Sequence, residues 1–145
     1  MKITKITESE EADFKLHPRA RGYAMEVRVE LEDGKVLRAA VSTDKQCCEG
    51  AFATTVDVND KEKDLAVGTE FESVRPYDYD EDGDLLPSGD YRHGSYGAIG
   101  WALLDKDKKP VGFVLAHNSH NGYYPHEAER TSEGFDELED DFDSI

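Results

Sequence analysis

Between Tyr23 and Glu32 the chain alternates strictly. Tyr23, Met25, Val27, Val29 and Leu31 are apolar or aromatic, and Ala24, Glu26, Arg28, Glu30 and Glu32 fall between them. A period of two predicts a strand with one buried face. Asp33-Gly34 follows, a pair suited to a two-residue turn in which both positions take positive φ. Val36, Leu37, Ala39, Ala40 and Val41 supply the return strand, so a hairpin is predicted over about 23–42. A second is predicted over about 98–117. The apolar run 98–104 enters the polar turn 105–109, and 111–116 returns. Both runs are almost continuously apolar, which places the pair centrally in its sheet with both faces covered. Gly100 and Gly112 suit these strands only if something packs closely on the backbone.

Shorter strands are expected over 52–58 and 69–74, nearer an edge, and a short helical turn over 8–16. In the tail, Phe135, Leu138 and Phe142 recur at helical spacing with acids between them. So short a helix is marginal alone in water. Residues 131–145 therefore read either as a disordered terminus or as a short amphipathic helix that docks or folds on a partner. The expected fold class is α+β, mainly β. One domain spans 1–130, an antiparallel sheet of two hairpins with shorter strands between them and an acidic loop at 76–90, followed by the tail.

Charge then changes the picture. The chain has 145 residues and a formal net charge of −16. Residues 76–90 hold six carboxylates and no Lys or Arg, and residues 127–145 hold nine against Arg130 alone. The rest is nearly neutral, so these two blocks are candidate interaction surfaces. Nucleic acids are polyanions whose binding needs clustered Lys and Arg. The densest basic group, Lys106, Lys108 and Lys109, is diluted by Asp105 and Asp107. Direct binding of nucleic acid or of an anionic membrane is thus disfavoured. No apolar run suits a signal peptide or a membrane span, and the expected location is the cytoplasm. Cys47 and Cys48 are adjacent, so no disulfide framework is expected.

Four constellations could carry chemistry. Asp78, Asp80 and Asp82 form an Asp-x-Asp-x-Asp-Gly opening like that of a calcium loop, with Asp84 as a further potential ligand after Gly83. Position twelve is Gly89 instead of the bidentate Glu, and Pro76 and Pro87 leave no room for flanking helices. A solvated acidic loop is the plainer alternative. Cys47, Cys48, His117, His120 and His126 are potential zinc ligands, but their spacing matches no standard site. Cys48 with His117 or His120 can be drawn as a nucleophile and base for a hydrolase or small-ligand site, with Arg75 or Arg92 available to a nucleotide. No catalytic motif accompanies them. Tyr77 and Tyr79 border the first acidic block, and exposed tyrosines among carboxylates make good protein-binding surfaces.

Two motifs together resemble a known group of sequences. Gln46-Cys47-Cys48-Glu49, followed by the Trp101 strand and by Ser119-His120-Asn121-Gly122-Tyr123-Tyr124, resembles small uncharacterised proteins encoded by bacteriophages, over roughly residues 25–127. The short segment Asp64-Leu65-Ala66-Val67-Gly68-Thr69 is similar to theirs as well. The acidic insert and acidic tail depart from that family. The resemblance implies a viral accessory protein in the host cytoplasm and supplies no catalytic residues. With the charge pattern, it leads to the expectation of a protein that binds and inhibits a host protein. The partner would have a basic, nucleic-acid-binding groove, as restriction or CRISPR nucleases do, and carboxylates would stand in for phosphates. The contacts would be Asp78, Asp80, Glu81, Asp82, Asp84, Tyr77 and Tyr79 in the first block. In the tail they would be Asp136, Glu137, Glu139, Asp140, Asp141 and Asp143. The alternatives are a Ca²⁺-binding module and a nucleotide binder or hydrolase built on Cys48, His117 and His120.

Overall fold

A computed structural model describes residues 1–16, 24–42, 51–60, 63–78, 97–118 and 126–145. Their regular structure is all strand: β1 (Ile3–Ala12), β2 (Ala24–Leu31), β3 (Val36–Ser42), β4 (Ala51–Asp57), β5 (Ser73–Asp78), β6 (Gly97–Leu104), β7 (Pro110–Asn118), β8 (Glu127–Glu133) and β9 (Asp141–Ser144). Every strand pairing is antiparallel. The first sheet has the order β1-β2-β3-β8-β9 and the second β4-β7-β6-β5. The fold is mainly β, two sheets packed face to face.

Both expected hairpins form, as β2–β3 and β6–β7. Their turns are not the two-residue type. The Leu31 N–H bonds the Lys35 carbonyl and the Gly34 N–H bonds the Leu31 carbonyl, so three residues form the loop. Among them only Gly34 has positive φ, at 85°. The Asp105 and Lys108 N–H groups make the same two bonds in the second hairpin, with Lys108 in the glycine's place at φ 61°. Asp105 supports that turn by accepting from the Asp107 and Lys109 N–H groups.

Alternation then sorts the side chains. Val27, Val29, Leu37, Ala39, Val41 and Ala128 of the first sheet meet Ala53, Ile99, Trp101, Leu103, Val114 and Ala116 of the second, all buried. Burial of that apolar surface is the main term holding the sheets together. Trp101 also carries a directional tie. Its indole N–H donates to the carbonyls of Arg38 and Thr131, paired residues of the opposite sheet, at 3.2 and 3.1 Å. The two strand glycines are explained by close approach. A Cβ on Gly100 would lie 1.9 Å from the Val114 carbonyl, and one on Gly112 would lie 2.4 Å from Leu65. Pro76 sits in the edge strand β5, where its missing N–H costs no ladder bond.

Several expectations need correction. No helix occurs among the described residues, so the α component has no counterpart there. The helical turn expected over 8–16 is instead the end of β1, which pairs with β2 as far as Ala12 with an irregularity after Ser9, followed by a segment that bends at Lys15 and Leu16. The strand expected over 69–74 begins only at Ser73. Residues just before it turn instead toward the N-terminus, where Lys2 bridges Glu70 and the Phe71 N–H bonds the Met1 carbonyl.

The tail is neither disordered nor helical. Phe135 and Leu138 pack on the main core while Phe142 joins a cluster with Phe14, Ala24 and Ala40 on the outer face of the first sheet. The three apolar residues serve two different cores, which a single helical stripe does not do. Beside them β9 extends the sheet by pairing with β8.

Candidate acidic interaction surface

Arg130 organises the acidic region. Its partners on β3 and β9 are Ala39 and Asp141, which places it on the inward side of β8 between the sheets. Its side chain is 8% exposed and lies over the Trp101 ring, 5.5 Å from ring centroid to guanidinium carbon. One terminal nitrogen donates to the Tyr77 carbonyl at 3.0 Å and to Asp78 Oδ1 at 3.1 Å. The other donates to Asp141 Oδ2 at 3.3 Å. Asp78 opens the first acidic block and Asp141 lies in the second. Two carboxylates far apart in sequence, one from each block, therefore meet on one guanidinium.

The remaining tail carboxylates divide by what they touch. Asp140 Oδ1 accepts the Ser132 N–H at 2.8 Å and so pins the loop back on β8. Asp136, Glu137, Glu139 and Asp143 are exposed, and among the described residues none has an ion pair. Glu133 is held by Lys15 at 3.0 Å and approached by Arg28 at 4.0 Å. The Lys15 hydrogen bond, then its charge, keeps the Glu133 carboxyl below the usual carboxylate range.

Glu129 belongs to a different construction. It is fully buried on the outer face of β8, beside the equally buried Arg38. Residues 13–16 cross above them as a strap. The Arg38 guanidinium donates to Glu26, to Glu129 and to the Asp13 carbonyl. The N–H groups of Lys15 and Leu16 donate to the two Glu129 oxygens at 3.0 and 3.1 Å. Phe14 meets Phe142 edge-on at 5.7 Å, so the strap touches the tail strand directly. Sequence inspection places Glu129 with the displayed acids. Its burial depends on a partner 91 positions away, which no local pattern reveals.

Other sequence candidates fare differently. Tyr77 was expected as an exposed contact, but its ring is fully buried against Phe113 at 4.9 Å between centroids. Tyr77 pairs with Gly100 of β6. Tyr79, Asp80, Glu81, Asp82, Asp84, Arg92, Cys47, Cys48 and His120 lie outside the described residues. The first position of the calcium-like loop, Asp78, is engaged by a cation of the protein itself. His117 is buried with its ring 5.6 Å from that of Phe52, and His126 is buried in the other sheet's approach to β8. Among the described residues no three His, Cys, Asp or Glu side chains converge as a metal site. An open depression of about 260 Å³ lies at the far end of the sandwich, lined by Glu70, Phe71, Glu72, Asp105 and Lys106.

No protein-family model matches this chain, and neither a curated protein nor a solved structure matches it. Among the described residues no helix is long and apolar enough to cross a membrane.

Proposed function

We propose that the chain is an acidic accessory protein of the phage type. On this reading it binds a basic, nucleic-acid-handling groove of a host protein and inhibits that protein in the cytoplasm. The observation that supports it is the convergence of Asp78, the first carboxylate of one block, and Asp141 of the other on the buried Arg130, which takes the only cation of the two blocks off display. A fixed array of carboxylates loses less entropy on binding than a frayed tail does. The docked Phe135, Leu138 and Phe142 hold this array in place.

Spacing limits which residues do the work. Asp141 is tied to Arg130, which leaves Asp143 as the carboxylate of β9 unpaired among the described residues, whereas one strand of duplex DNA carries a phosphate about every 3.4 Å of axis. The strand alone falls well short of that density. Asp136, Glu137 and Glu139 in the preceding loop are needed to complete it.

The test is a variant in which Asp136, Glu137, Glu139 and Asp143 become Asn or Gln, compared with wild type as bait in host lysate at low and high salt. The expected result is a protein captured by wild type, released by salt and by added duplex DNA, and not captured by the variant. Equal capture by both baits, or capture that duplex DNA does not compete, refutes the reading.

A further inference from the structure

We infer that the strap 13–16 and strand β9 form one clasp over the outer face of the first sheet, so that displacing either segment frees the other and bares the Arg38–Glu129 pair. Register sets the arrangement. Glu129 of β8 pairs with Ala40 of β3 on one side and with Phe142 of β9 on the other. Side chains directly across a sheet stand about 5 Å apart, so Phe142 borders the Glu129 side chain. Phe14 comes down from the strap onto Ala24, Ala40 and Phe142 and is 3% exposed. Glu129 is fully buried even though only β9 separates its strand from the sheet edge.

Each segment supports the other. The strap hangs on Glu129, whose two oxygens accept the Lys15 and Leu16 N–H groups, and on Arg38, which donates to the Asp13 carbonyl. Such bonds are stronger where water is kept out, and Phe142 is part of the wall that keeps it out. β9 relies on the strap in turn. It is four residues long, lies at an edge, and has Phe142 as its one apolar side chain. Phe14 covers that ring edge-on.

A half-open clasp keeps too little to hold it. With β9 away, the strap bonds a carboxylate open to water; with the strap away, β9 carries an uncovered phenylalanine and the Arg38–Glu129 pair loses its cover. Short edge elements with few apolar contacts open at low free energy and apart from the body of a domain. The clasp is thus a two-state element that joins the segment after β1 to the last strand, and whatever pulls on one is felt by the other.

The experiment is amide hydrogen exchange of the full chain, followed residue by residue by NMR at a temperature where all variants are folded. The Lys15 and Leu16 amides report on the strap, and the β9 amides with that of Ile145, which donates to the His126 carbonyl, report on the tail. Phe14→Ala is expected to speed exchange on the order of tenfold in both sets. Phe142→Ala is expected to do the same, while β6 and β7 keep their wild-type rates. Phe14→Leu leaves an apolar side chain in the socket and so guards against a variant that fails to fold; it is expected to move both sets by a smaller, matched factor. The two alanines together are expected to add little to either alone. If Phe14→Ala and Phe14→Leu speed the strap amides and leave β9 and Ile145 at wild-type rates, the clasp is overturned. Acceleration that reaches β6 and β7 equally overturns it as well, because the segments then open only with the whole body, and so do fully additive effects in the double variant.

Discussion

Replacing Glu129 with alanine is expected to cost about 4 kcal/mol of folding free energy, within the range of about 3–5 for breaking a buried ion pair. The side chain is fully buried and accepts three hydrogen bonds, from Arg38 and from the Lys15 and Leu16 amides. Removing it leaves Arg38, 1% exposed, with Glu26 and one carbonyl as its remaining acceptors. The two strap amides lose their acceptor as well. Lys15 and Leu16 are exposed, so their N–H groups can turn to water and the strap contribution is small. Most of the loss is therefore at the buried guanidinium, which keeps Glu26 as its counter-charge but loses the carboxylate on one terminal nitrogen. For a domain of this size about 3 °C of Tm accompanies each kcal/mol, so the transition is expected to fall by roughly 12 °C. Since total stability of a domain is about 5–15 kcal/mol, the variant remains folded but marginal.

The pairing itself is measured by a double-mutant cycle. Arg38→Met with Glu129→Met replaces the pair by apolar side chains of similar size, an exchange that is often near neutral, and leaves Glu26, 17% exposed, to turn to water. The double variant is expected to be more stable than Glu129→Met alone, with a coupling of about 2–3 kcal/mol, the upper part of the range for residues in contact. Urea unfolding of the four proteins, with m-values compared to check the two-state assumption, gives the numbers. A Glu129→Ala cost below about 1 kcal/mol, or additive single and double variants, would show that the strap network is not a coupled unit.

Two further outcomes follow from the same geometry. Lys108→Gly is expected to raise stability by about 0.5–1 kcal/mol, because a left-handed φ that strains lysine suits glycine; thermal melts check it, and no gain or a loss refutes the turn assignment. The Glu133 carboxyl is held below its reference value of 4.5 by the Lys15 hydrogen bond and charge. A depressed carboxylate adds stability that is present above the unfolded midpoint and lost as pH falls through the folded one, so the Lys15–Glu133 contact weakens on acidification below 4.5. Its effect on global stability is small because the Glu133 side chain is 52% exposed. The readable outcome is local: in an NMR titration, Lys15→Met moves the Glu133 midpoint upward, and an unmoved midpoint contradicts the contact.

The hairpins were legible because their signal is local. Alternation marked β2, and the continuous apolar runs marked β6 and β7 to within a residue or two. The turn type was missed because Asp33-Gly34 satisfies two loop lengths, and the choice between them rests on how Leu31 and Lys35 pair. In the tail, Phe135, Leu138 and Phe142 satisfy helical spacing, but Asp141-Phe142-Asp143 also alternates with period two. The open edge of β8 decided between them. A buried Glu129 cannot be told from its exposed neighbours by sequence, since nothing near it in the chain announces Arg38 or the strap. Arg130 was visible only as the lone base in an acidic run. That isolation was the available signal that it neutralises something within the block.

These assignments change what the formal charge means. Residues 127–145 carry nine carboxylates and one arginine. Burial removes one of each from the surface, Glu129 to the strap network and Arg130 to the core side of β8. Eight carboxylates remain exposed, with no exposed base in the block. Glu133 is matched by Lys15 and Asp141 by Arg130, while Asp140 holds its loop to Ser132. What is left to meet another molecule is narrower than the sequence implies: Asp136, Glu137, Glu139, Asp143 and Glu127 on a short ordered stretch. Interactions between exposed like charges repel, and that repulsion acts against docking of β9. The docked tail persists because Phe142 and Ile145 are seated and Asp141 is tied inward. A cationic partner relieves the repulsion, so partner binding and strand docking are expected to reinforce one another through linkage.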